Sequence, residues 1–224
     1  MMSHKYSFSV DLRLNFPEVR DQGRRGTCTA FAVTSSHEHH RNLNERLSEE
    51  FLFSCAKSLQ GAYDDSGVSI PTALESIVRW GHTTNTLLPY NESSVLPLKF
   101  KDIPPVILKD AKSRKIASYN TINQIITHIE SQLKKERSVI AGVVVHPTFW
   151  LTADNNFIDV PAIESVEGYH AIVIVGYGER DDGKKCFIIR NSWGSDWGDS
   201  GYAYISYDYF IKYNMGAWII PRGA

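Results

Sequence analysis

The 224 residues are 42% apolar and 22% charged, with a formal net charge of −1; such a balance supports a packed core and offers no polyanion-binding surface, so a nucleic-acid partner is excluded. Cys28, Cys55 and Cys186 form no CxxC pair and allow at most one disulfide. That rules out a disulfide framework, makes a closed cysteine–zinc site unfavourable and favours a reducing compartment; with no signal peptide read at the N-terminus a cytoplasmic location is expected, secretion by a non-standard route staying open.

In chain order, the N-terminus "MMSHKYSFSV" alternates polar and apolar residues and lacks the hydrophobic run of a signal peptide. A helix is expected from Cys28 to about Leu43, and a second over "LSEEFLFSCAKSL", with Ser48 as N-cap and glutamates in its first turn. A third, "IPTALESIVRWG", puts Ile70, Ala73, Leu74, Ile77 and Val78 on one face and stops at Gly81. Residues 85–105, polar and proline-bearing, read as an irregular crossing. "TINQIITHIESQLKKE" reads as a helix opened by a capping box of Thr121 and Gln124. From there the pattern turns to strands: "SVIAGVVVH", "HAIVIVGYG", "KKCFIIRN", "GYAYISY" and "GAWII", with a turn signal at Asp182-Gly183. The longest apolar run, Ile140 to Val145, is too short to span a bilayer, and no membrane partner is expected. Helices followed by antiparallel strands give an α+β fold with a cleft where the halves meet.

Cys28 follows a loop holding Gly23 and Gly26 and opens a helix. Taken alone it could be packing, a disulfide half, a metal ligand or a nucleophile. Its place in a first helical turn, among unpaired N–H groups at the positive end of the dipole, favours the thiolate. Arg24 and Arg25 add positive charge nearby, or are solvated loop residues; Cys55 and Cys186 read as packing. Among the eight histidines, the cluster His37, His39 and His40 with Glu38 lacks an i, i+4 histidine pair. It reads as a solvated helix face, with no metal or cofactor expected. His146 reads as a strand-end residue. His170 opens a buried strand after Gly168-Tyr169, and Asn191 follows the strand "CFIIR". Adjacent strands ending at one edge would put the Asn191 amide oxygen beside the imidazole, with Trp193 and Trp197 excluding water.

Together "DQGRRGTCTAFA", "LSEEFLFSC", "GYHAIVIVGYG" and "IIRNSWGSDWGDSGYAYI" resemble the papain-like cysteine peptidases, in order and over about residues 11–220. The resemblance implies one papain-like domain over residues 1–224. It has a helical lobe at about 22–115, and an antiparallel, barrel-like β lobe at about 116–220 plus the N-terminal segment. The active-site cleft lies between them. It further implies a monomeric cysteine endopeptidase without cofactor, acting on an extended peptide or protein. Cys28 would be the nucleophile, His170 its ion-pair partner and general acid, Asn191 the orienting group, Gln22 an oxyanion donor and Trp193 a shield. Gly67, Val68 and the Tyr169 carbonyl would bind substrate backbone.

Three positions depart from the family pattern: Arg25 replaces the first cysteine, normally half of a disulfide. Thr29 replaces an aromatic, and Val68 stands where a second glycine is expected and would narrow access. With no pro-segment or signal peptide expected, the chain is similar to an intracellular, prokaryote-like branch. Two other readings stay open: a weak or inactive module binding a peptide in the same groove, and acyl transfer to an amine.

Overall fold

The computed structural model describes residues 5–43, 45–94, 96–150, 156–162 and 165–221. The chain is α+β and divides into two compact units: one from Met1–Asp21 with Thr121–Ile219, the other from Gln22–Asn120 with Ile220–Ala224.

The helical unit is built on α1 (Cys28–Arg41), α2 (Glu49–Gln60), α3 (Ile70–Trp80) and α4 (Pro105–Ala111). Local chemistry sets the ends. The Ser48 hydroxyl accepts from the Phe51 N–H at the start of α2, and that of Ser69 accepts from Thr72 at the start of α3. Helix α3 stops at Gly81, which sits at φ +85°; a Cβ there would lie 1.8 Å from the Ala111 carbonyl oxygen. Only glycine allows that approach. Phe51 and Cys55 of α2 pack against Ile103, Ile107 and Ala111, with Trp80 and Phe100 at the margin. The described residues between 85 and 104 are largely irregular, as expected, apart from a 3-10 turn at Phe100–Asp102, and Pro105 already opens α4.

Helix α1 corrects one expectation. It packs against both α2 and α3, so little of its surface faces water. Its histidine cluster is therefore no solvated face: His37 is 0% exposed, Glu38 1% and His39 4%. The buried polar groups find partners instead. Glu38 accepts from the Leu47 N–H at 2.7 Å, and His37 Nδ1 meets His82 Nδ1 at 3.1 Å. His82 Nε2 donates to the Ser48 carbonyl at 2.9 Å. Among the described residues no group of His, Cys, Asp or Glu could hold a metal ion.

The second unit is a sheet of eight described strands: β1 (Tyr6–Asp11), β2 (Asn120–Thr121), β3 (Val139–Val145), β4 (Phe157–Ile158), β5 (Gly168–Arg180), β6 (Lys185–Arg190), β7 (Tyr202–Ser206) and β8 (Asn214–Ile219). Their order is β2-β8-β3-β5-β6-β7-β4, with β1 also on β5. Strand β4 pairs with β7 in parallel; β1 with β5, β3 with β5 and β8, and β6 with β5 and β7 pair antiparallel. Strand β5 is buried from His170 to Gly178, which is why it reads as one apolar run rather than an alternation. Helices α5 (Ile126–Lys134) and α6 (Tyr207–Tyr213) lie against the sheet.

The expected capping box does not form. Thr121 belongs to β2, because the Ile122 N–H is held by the Ala217 carbonyl of β8, and α5 begins only at Ile126. Asn123 Oδ1 caps the approach instead, accepting from Ile125 N–H at 3.1 Å. The strand read at "GYAYISY" ends at Ser206, whose hydroxyl accepts from Tyr209 N–H and starts α6. No described helix is long and apolar enough to cross a membrane.

Candidate active site

Cys28 is the first residue of α1 and is partly exposed; Thr27 precedes it as N-cap without a side-chain cap bond. No acidic side chain lies in that first turn. The N-terminal amides and the dipole there favour the thiolate. The other thiols are built differently. Burial alone raises the Cys55 pKa far above the ordinary thiol value, and burial pushes Cys186 up to about 12. Neither is a nucleophile at neutral pH.

The loop before Cys28 is pinned at several points. Gln22 is 7% exposed and its Nε2 donates to the Arg25 carbonyl at 2.8 Å, an oxygen that also accepts from Thr27 N–H at 2.8 Å. At Gly26 a Cβ would lie 2.4 Å from the Asp65 carbonyl oxygen, so the loop passes directly against the 65–67 segment. Arg25 is no solvated loop residue: its side chain is 3% exposed. It reaches Glu50 at 2.5 Å, Asp65 at 3.2 Å and the Asn91 carbonyl at 2.8 Å, and lies over the rings of Phe53 and Tyr90. Burial works against its charge, but the bonds to Glu50 and Asp65 outweigh that and raise its pKa.

Gly67 is exposed and Val68 buried. The Val68 carbonyl already accepts from the Thr29 hydroxyl at 2.8 Å, so Thr29 has a structural task under the loop. With Val68 turned inward, its side chain does not stand in open solvent as an obstacle; Gly67 is the residue with accessible backbone.

In the sheet unit, His170 lies near the start of β5, opposite Val143 of β3, and Asn191 directly follows β6. Asn191 is fixed by its own N–H to the Gly201 carbonyl at 3.0 Å. Its Oδ1 accepts from His170 Nε2 at 2.6 Å and from Ser192 N–H at 2.8 Å. An amide oxygen only accepts, so His170 carries its hydrogen on Nε2, and Nδ1 is left as the atom that gains or gives a proton. Both residues are buried, His170 at 7% and Asn191 at 5% exposure. The Trp193 ring lies 4.7 Å from the imidazole, and Trp197 packs edge-on against Trp193 at 5.5 Å. Tyr169 beside it is 70% exposed.

Sequence reading missed Trp150, which stacks on Trp193 at 4.6 Å with 7° between the rings. It comes from the segment after β3, and nothing local to it signals that contact. Arg25 and Tyr90 were equally silent as partners of the Gln22 loop.

Against known proteins, a family model described as papain family cysteine protease matches residues 7–217. An uncharacterised peptidase C1-like protein of Acanthamoeba polyphaga mimivirus is 32% identical over 90% of this chain and 69% of its own length. A cathepsin B-like protein of Giardia intestinalis is 29% identical over 87% of this chain and 67% of its own. Among solved structures, xylellain, a cysteine protease from Xylella fastidiosa, superposes with a TM-score of 0.83 at 26% identity, covering 98% of this chain and 88% of that one. A thiol at a helix start, a buried histidine–asparagine pair and these likenesses converge: the chain belongs to the papain family of cysteine proteases.

Proposed function

We propose that the chain is an endopeptidase working through an acyl-enzyme on Cys28. The Cys28 thiolate attacks the scissile carbonyl, and the resulting oxyanion is held by the Gln22 side-chain N–H and the Cys28 backbone N–H. His170, protonated at Nδ1, gives that proton to the departing amine. A water then adds to the thioester, His170 takes up its proton, and the acid product leaves as the thiolate re-forms. Asn191 holds the imidazole in the tautomer this requires, and Trp193 keeps water from their bond. Gly67 and the Tyr169 carbonyl pair with the extended substrate backbone.

The observation that carries this reading is the 2.6 Å bond between His170 Nε2 and Asn191 Oδ1 inside a buried, tryptophan-covered pair. That bond puts the hydrogen on Nε2 and holds the ring in the tautomer that proton transfer at Nδ1 requires.

The test uses labelled casein with mass spectrometry of the products. Internal cleavage that Cys28→Ala abolishes is expected. Trimming from chain ends only would overturn the endopeptidase assignment, and unchanged cleavage by Cys28→Ala would overturn the nucleophile.

A further inference from the structure

Oxyanion stabilisation depends on two donors from different residues, Gln22 and Cys28, keeping a fixed separation. Donors serve only within about 2.7–3.1 Å of the oxygen. One hydroxyl joins the two. Tyr90 Oη donates to the Gln22 carbonyl at 2.7 Å and lies 2.8 Å from the Thr27 hydroxyl. A phenol has a single hydrogen, so with that hydrogen on Gln22 the Thr27 hydroxyl is the donor to Tyr90. Thr27 is fully buried and shares its peptide bond with the Cys28 N–H.

Tyr90 is itself clamped. Phe31 meets its ring edge-on at 4.8 Å, its N–H donates to Asn85 Oδ1 at 3.2 Å, and the Arg25 guanidinium lies 5.1 Å from its ring centre. Burial raises its pKa, which keeps the phenol protonated and able to donate.

We propose that Tyr90 is a positioning residue for the oxyanion site: its hydroxyl ties the main chain of Gln22 to the residue that precedes the nucleophile and so sets the distance between the two donors. This rests on the reading of Gln22 as an oxyanion donor. Tyr90 touches no reacting atom; it acts through Gln22 and Thr27.

The test compares two reactions of Cys28 in the full chain. Peptide hydrolysis, followed with a fluorogenic peptide amide, builds an oxyanion. Alkylation by iodoacetamide, a substitution at saturated carbon, builds none. In Tyr90→Phe, kcat is expected to fall about tenfold, less than the 10²–10³ typical of losing a donor outright, with KM and the alkylation rate unchanged. In a Gln22→Ala background, Tyr90→Phe is expected to cause no further loss, because the group it positions is gone. Thr27→Val is expected to lower kcat in the same sense and Thr27→Ser to restore it, which keeps the question decidable if Tyr90→Phe folds poorly.

An unchanged kcat in Tyr90→Phe overturns the proposal, as does an equal loss with and without Gln22, or a parallel fall in alkylation. Hydrolysis untouched by Gln22→Ala itself overturns the underlying assignment of the oxyanion donor, a separate outcome.

Discussion

His170 has one ring nitrogen committed to Asn191, and in the proposed mechanism the other transfers the proton, a division made by a single amide oxygen. Removing it in Asn191→Ala leaves a buried N–H without its acceptor and frees the ring to turn. With general acid–base catalysis contributing typically 10²–10⁴-fold, kcat is expected to drop about 10–100-fold with little change in KM. Asn191→Asp, which retains an acceptor, is expected to keep more activity; equal activity in wild type and Asn191→Ala would contradict the orienting role. At this scale the sequence was informative wherever a residue's neighbours in the chain explain it. Cys28 sits at a glycine loop and helix start, and His170 and Asn191 sit at strand ends. Tyr90 and Trp150 were not legible, because their roles arise from contacts with segments distant in sequence.

Helix α1 shows how an element is misread when polarity is taken as exposure. "SSHEHHRN" looks solvated, yet α2 and α3 cover it and a chain of imidazoles carries the hydrogen bonds. Since His82 Nε2 donates to the Ser48 carbonyl, the Nδ1 of a neutral His82 accepts and His37 donates from its own Nδ1. Burial, and then the charges of His82, His40, Arg41 and Arg114, hold the His37 pKa well below the ordinary value. A depressed histidine pKa means the unfolded chain takes the proton first. The stability from neutral His37 is therefore complete above the unfolded value of about 6.5 and is lost as pH falls below it. The Tm is therefore expected to fall as the pH is lowered from 7.5 to 5.5. His37→Asn, which can still donate to His82 but does not titrate, is expected to flatten this fall between pH 7.5 and 5.5. Identical Tm profiles for the two proteins would contradict it. The start of α5 failed for a comparable reason: Thr121 and Gln124 have capping-box spacing, but pairing with β8 claims that stretch for the sheet. Where a local signal met no competing tertiary bond, as at Ser48, Ser69 and Gly81, the element ends follow the sequence.

Across the whole molecule no two cysteines are joined, and a buried ion pair braces the loop before Cys28. Arg25 holds Glu50 and Asp65. Stability is accordingly expected to be indifferent to reductant: dithiothreitol should leave Tm unchanged. Arg25→Ala should cost about 3–5 kcal/mol, because it strands the Glu50 carboxylate, 7% exposed, without its cation. Arg25→Met combined with Glu50→Gln should recover most of that, as read from urea midpoints. A single mutant as stable as wild type would show that the pair is not a structural anchor. The α+β class was legible because apolar periodicity changes from helical to strand-like along the chain. The burial of Arg25 was not, because a loop arginine is sequence-neutral until its carboxylates are placed.

The most direct test of the chemistry is the pH dependence of Cys28 alkylation by iodoacetamide in wild type and in His170→Ala. Burial leaves Cys55 and Cys186 protonated and unreactive, so the signal reports Cys28, and mass spectrometry verifies the site. Rapid alkylation that persists well below pH 8 in wild type and disappears in His170→Ala is the predicted result: a thiolate held by the imidazolium. Slow alkylation with an ordinary thiol pKa of about 8.5, unaffected by the substitution, would contradict the assignment of Cys28 and His170 as a catalytic pair.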